Sequence, residues 1–173
     1  MALVVLLRGV NVGGRRSFRP TALAGQLKHL DAVNIGAAGT LVIRQPISQA
    51  VLRAEVARRL PFETSIIICR GNDFTRVLAR DHFAGERREP GMVRFMSILA
   101  GHPREAVSLP VCYPPEGKWL LKILARDGRF VLGAYRRHMK VIGYLGKLDR
   151  LFKVPVTTRS WNTIDAIAEV LAR

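Results

Sequence analysis

Residues 2–7, ALVVLL, form an unbroken apolar run closed by Arg8 and Gly9. A strand with one wet face alternates apolar and polar side chains, whereas a strand that is apolar throughout has to be covered on both sides. This chain must therefore build a sheet with the run inside it. The run is far shorter than the ~20 residues a membrane helix needs. It also lacks the basic leader and small-residue cleavage pattern of a secretion signal.

The pattern around the run predicts what pairs with it. Pro20 opens a segment in which Leu23, Leu27 and Leu30 recur at helical spacing, and proline is tolerated in a first helical turn because its missing N–H has no partner there anyway. Residues 33–35 and 40–44 are short strands joined by Gly36, Ala37, Ala38 and Gly39, a hairpin. Leu52, Val56 and Leu60 mark a second helix behind a Ser48 cap, ended by Pro61, and residues 65–69, SIIIC, give a further strand. The order strand, helix, strand, strand, helix, strand is that of a ferredoxin-like plait.

The second half repeats the order. Residues 92–99 read as a strand and residues 103–109 as a short helix. Residues 119–125 and 130–135 flank Asp127-Gly128, a strong hairpin signal because the turn needs positive φ. Val141, Leu145, Leu148 and Phe152 predict one helix, residues 154–157 a last strand, and Ile164, Ile167, Ala168 and Leu171 a closing amphipathic helix. The expected fold is thus α+β: two tandem ferredoxin-like βαββαβ domains, residues 1–84 and 92–173, the second carrying a C-terminal helix. The breaker-rich residues 85–91 are the expected linker.

Lys+Arg 28 against Asp+Glu 13 gives a formal charge of +15, an attractive field for phosphate-rich partners. The basic residues are scattered, so a solvated surface is the competing reading. Cys69 and Cys112 stand far apart with no metal-ligand spacing, so free thiols in a reducing cytoplasm are expected, with no metal and no cofactor. A membrane partner is not expected, and oligomeric state is left open.

Two segments, LLRGVNVGG at residues 6–14 and TTRSWNT at residues 157–163, together resemble a bacterial family known as domain of unknown function 1697. Its members open with a similar R-G-[IV]-N-V-G-G and close with a similar T-T-R-x-W-N-T. The resemblance covers essentially the whole chain and implies tandem ferredoxin-like plaits with no established activity. Many members carry a polar Gln-Ser-Gly-Asn turn where this chain has Gly36, Ala37, Ala38, Gly39 and Thr40. If that turn belongs to a shared site, its side chains are missing here.

Two places could bind a ligand. Arg8, Asn11, Gly13 and Gly14, with Arg15 and Arg16, form a loop whose backbone N–H groups and cations suit an anion. The bland alternative is that the glycines merely permit turns while Asn11 bonds to the loop's own backbone. Arg159 and Asn162 sit at the junction of the last strand and helix. There Asn162, followed three residues later by Asp165, reads as an N-cap with a first-turn acid, a structural role favoured over a ligand contact, with Trp161 as a core anchor. If folding brings the two places together, they form one cleft. Arg70 opens a second Arg-Gly pair, followed by Asn72, expected at the opposite sheet end from Arg8.

His29, His82, His102 and His138 are dispersed, and no histidine, cysteine or carboxylate is placed to activate a nucleophile. No catalytic residue is assigned. Stacking of RNA bases on a sheet face is also disfavoured, because residues 40–44 lack an aromatic and Phe130 and Tyr135 alternate to opposite faces. The leading reading is non-catalytic binding of a phosphorylated or nucleic-acid ligand at the basic loop. The alternatives are an enzyme of unrecognised type acting on an anionic small molecule, and an interaction module with incidental charge.

Overall fold

The computed structural model describes residues 1–11 and 17–173. The chain is mixed α+β and divides into two compact units, residues 1–78 with 165–173, and residues 79–164.

In the first unit β1 (Leu3–Leu7) is flanked by antiparallel partners in the order β2-β3-β1-β4. All residues of β1 are buried, as a continuous apolar run demands. β2 (Ala32–Ile35) and β3 (Thr40–Ile43) form the expected hairpin, and β4 (Ile66–Arg70) closes the other edge. Helix α1 (Pro20–Gln26) begins at its proline, and α2 (Gln49–Ala57) begins behind Ser48, whose hydroxyl accepts from the Val51 N–H at 3.2 Å. Leu23, Leu27, Leu52 and Val56 from these segments pack with Leu3, Val5 and Leu7 in one core.

In the second unit β5 (Met92–Leu99) lies between β8 and β9 in the order β6-β7-β8-β5-β9. β7 (Leu121–Asp127) and β8 (Phe130–Arg136) turn at Gly128, whose φ is +60°. Phe95, Leu121, Val131, Leu148 and Phe152 belong to its core. β9 (Val156–Ser160) runs directly into the last helix, α6 (Trp161–Leu171).

Four expectations are corrected. Residues 103–109 form no helix: Pro103 and Pro110 bracket the segment, and the chain goes instead into β6 (Val111–Tyr113), an added edge strand. The single helix expected around residues 141–152 is two, α4 (Val141–Gly146) and α5 (Leu148–Phe152), with Gly143 and Gly146 lowering helical stability at the break. Residues 85–91 are not a free linker. The segment from Ala79 belongs to the second unit, bound there by ion pairs from Glu86 to Lys122 and Glu89 to Arg136 and by Phe83. Finally, residues 165–173 group with the first unit, where the Leu171 side chain lies over Gly71 at the start of α3 (Gly71–Leu78).

Candidate functional site

In the amino-terminal segment, the Asn11 side chain bonds to backbone groups on two neighbouring stretches of chain. Its side-chain amide donates to the Phe18 carbonyl at 3.1 Å and the Ala37 carbonyl at 2.8 Å, while its oxygen accepts from the Phe18 N–H at 3.0 Å. With a φ of 54°, Asn11 is the clasp that ties this loop to the β2–β3 turn. The same turn is held by Leu7 N–H donating to Gly39 at 2.8 Å, and a Cβ at Gly39 would come within 2.7 Å of Val10. Gly39 is thus required by close packing and by its φ of +79°. Arg8 is half-buried, and its carbonyl accepts from the Thr64 hydroxyl. Gly13, Gly14, Arg15 and Arg16 lie outside the described residues. As expected, Arg70 lies at the other end of the sheet, since Leu3 pairs with Arg70 and Leu7 with Ile66.

At the other motif, Arg159 points inward. It is 6% exposed, and one guanidinium nitrogen donates to the Thr157 hydroxyl at 2.7 Å and the Thr158 carbonyl at 3.0 Å. Burial pulls its pKa down to about 10, still far enough above neutrality to keep it charged. Alternation explains the placement: Thr157 and Arg159 share one face of β9. Asn162 is not an N-cap, because α6 already begins at Trp161; it lies exposed in the first helical turn.

What gathers at this corner is a different set of cations. Antiparallel register pairs Met92 with Arg136, Val93 with Tyr135 and Phe95 with Ser160, so the start of β5 and the ends of β8 and β9 meet at one end of the sheet. There a cavity of about 320 Å³ is lined by Arg88, Arg94, Arg137, Tyr135, Ser160, Trp161 and Asn162, with Met92 and Val93. The first turn of α6 carries no acidic residue, so its positive end is not neutralised locally.

The cations are positioned, not merely present. Phe83 is buried and meets Trp161 edge to face, and the Arg94 guanidinium lies 4.5 Å from the centroid of the Phe83 ring. Arg88 stands between Glu86 and Glu89, whose carboxylates are spent on Lys122 and Arg136. Among the described residues, Arg88, Arg94 and Arg137 take part in no ion pair. Unopposed guanidinium groups beside a helix N-terminus and two aromatic side chains can hold a phosphate and stack a planar group.

Sequence reasoning picked Asn162 and the Trp161 corner but missed all three lining arginines. The available signals were Arg94 interrupting the apolar strand MVRFMSIL and the Arg136-Arg137 pair ending the next strand's partner. A second cavity, of about 660 Å³, lies in the first unit against Met1, Leu3, Pro46, Ile47, Ser48, Gln49 and Arg70, with one cation only. Among the described residues, β1 and β3 are wholly buried, as are residues 95–99 of β5 and 130–134 of β8, so these strands offer no platform for bases. No group of His, Cys, Asp or Glu among the described residues could hold a metal ion. Nor, among them, is any helix long and apolar enough to cross a membrane.

A family model described as "protein of unknown function (DUF1697)" matches residues 1–117. No curated protein matches the chain. Among solved structures, the chain is similar to that of a conserved bacterial protein from Streptococcus pneumoniae, with a TM-score of 0.64 and 18% identity over 99% of this chain and 98% of that one. At that identity the likeness is one of fold.

Proposed function

Because the chain belongs to the DUF1697 family, whose function is unknown, we propose a function from its own residues: it binds a phosphorylated ligand, without transforming it, in the cavity of the second unit. The observation that carries this reading is the convergence of Arg88, Arg94 and Arg137 on one hollow, unpaired among the described residues, beside the first turn of α6. A phosphate there would take charge-assisted hydrogen bonds from guanidinium groups and from helix N–H groups left free by the helix geometry. Asn162 and Ser160 add neutral polar groups, and Tyr135 and Trp161 a flat apolar wall. The volume suits a small phosphorylated molecule or the end of a nucleic-acid strand.

The fold reading belongs with this proposal. Both units are ferredoxin-like plaits in tandem. In the first, the order β1-α1-β2-β3-α2-β4 and the sheet order β2-β3-β1-β4 support it. In the second, β5, β7, β8 and β9 hold the corresponding places, with β6 added at the edge and no helix between β5 and β7. The arginines then line the sheet end where the last strand passes into a helix.

The test is a thermal-shift screen of the intact chain with pyrophosphate, nucleotides and phosphorylated sugars, repeated on Arg94→Gln and Arg137→Gln. A ligand at 100 times its Kd raises stability by about 2.7 kcal/mol, a readily measured shift. Stabilisation that both substitutions abolish supports the proposal. No stabilisation by any phosphorylated compound, or an undiminished one in the variants, refutes it.

A further inference from the structure

Outside the cavity, the second unit carries one more surface that packing does not explain. Met139 is 86% exposed and Ile142 75%, the two most exposed large hydrophobic side chains among the described residues. Single exposed apolar residues are ordinary. These two stand three positions apart, where a turn passes into a helix, so they share one side of the segment.

Their exposure is built into the fold. The turn is fixed by the Val141 N–H donating to the His138 carbonyl and the Lys140 N–H donating to His138 Nδ1, both at 3.1 Å. Val141, Leu148 and Phe152 are buried in the core, so the helical register is satisfied and holds Ile142 on the outer side. No shift of register would bury Ile142 without exposing Val141.

Cations dominate the segment, and its one acid, Asp149, is half-buried and accepts from the Val156 N–H at 2.9 Å. Between Asp127 and Asp149 the chain contains no acidic residue. His138, Lys140, Lys147 and Arg150 are exposed, and Lys147 sits over the rings of Tyr113 and Tyr144 at 5.7 and 5.5 Å from their centroids. A second copy of this chain would bring like charges together, and the chain carries a net +15. A nucleic-acid backbone would satisfy the cations but leave the two aliphatic side chains in water. An anionic lipid surface accommodates both: headgroups take the ammonium groups, and the acyl boundary takes the aliphatic tips.

We propose that residues 138–150 form a peripheral docking element for anionic lipid bilayers, with Met139 and Ile142 as the inserted side chains and Lys140 and Lys147 as the headgroup contacts. The earlier expectation that no membrane partner exists rested on spanning segments and does not bear on a surface contact. The lipid surface is bound through residues that do not line the arginine cavity, so this inference stands independently of the ligand proposed there.

The test is co-flotation of the full chain with phosphatidylcholine vesicles, with and without about 30 mol% phosphatidylglycerol. The expected result is flotation with the anionic vesicles alone, weakened by salt. The double substitution M139S/I142S, at exposed positions and with an unchanged unfolding midpoint, should lower binding by about tenfold. Failure to float with anionic vesicles overturns the proposal, and so does undiminished flotation of the double variant. A loss confined to single-stranded oligonucleotide binding in that variant, with flotation intact, makes the partner nucleic acid and overturns it as well.

Discussion

Phe83 and Trp161 meet edge to face, their ring centroids 5.0 Å apart and their planes at 87°. One residue comes from the end of the stretch, residues 1–84, that the sequence assigned to the first domain, the other from the strand–helix corner. Trp161 lines the arginine cavity, and Phe83 also carries the Arg94 guanidinium over its ring. Phe83→Ala removes a buried ring together with its contacts to Trp161 and Arg94 and should cost about 3 kcal/mol. Urea unfolding measures it, and Phe83→Leu should cost clearly less. Equal losses in the two variants would mean the ring geometry contributes nothing.

Arg94 and Arg137 should matter for binding and little for folding. Each replaced by Gln loses one charge-assisted contact, and affinity for the best phosphorylated ligand should fall about tenfold or more, about 1.4 kcal/mol. Calorimetric titration at two salt concentrations checks this. The variants should also show a shallower salt dependence than the parent chain.

Gly133 on β8 faces Phe95 on β5 across the ladder. A Cβ there would lie 2.3 Å from the Lys122 carbonyl oxygen and 2.6 Å from Phe95 Cζ, and the backbone atom cannot swing away. Gly133→Ala should destabilise the chain by about 3 kcal/mol or prevent soluble expression. Trimming the ring as well, in Gly133→Ala with Phe95→Leu, should recover only part of the loss, since the carbonyl clash persists. Thermal unfolding reads both.

Asn11 holds its loop by three hydrogen bonds at a positive φ. Asn11→Ala loses the bonds and strains the backbone, for an expected cost of about 2–3 kcal/mol. Asn11→Gly loses the bonds but relieves the strain and should be the milder change. If Asn11 instead contacted ligand, both variants would lose binding while keeping the parent's stability, the reverse of what is expected here.

Acid should loosen the segment that carries Arg88. The hydrogen bond from Arg136, and then that arginine's charge, hold the Glu89 carboxyl below the usual glutamate range. A depressed folded pKa means the contribution is complete above the unfolded value, about 4.3, and is lost as pH falls through the lower folded value. Glu89→Gln should flatten the acid limb of stability against pH and leave the slope at neutral pH untouched. Glu89 is exposed to solvent, so salt should shrink the difference.

Most of the fold was legible because it is written locally. The run at residues 2–7 had to be a doubly covered strand, Pro20 and Ser48 start their helices, and Asp127-Gly128 turns its hairpin, each for a reason contained within a few residues. The segment at residues 103–109 was misread because its weak pattern carried no stop signal stronger than its prolines, and the edge strand after it depends on pairing with β7.

The candidate site was not legible in the same way. Arg88, Arg94 and Arg137 are separated along the chain, and although Arg94 breaks an apolar strand and Arg137 follows Arg136, neither local signal says that the three meet. They converge because β5 runs antiparallel to both β8 and β9 and because Glu86, Glu89 and Phe83 bind the preceding segment to that sheet. Sequence alone thus determined which residues become strand or helix, through burial that repeats over short distances. Which cations share a hollow, and that Arg159 turns away from it, was decided by register and by long-range pairing.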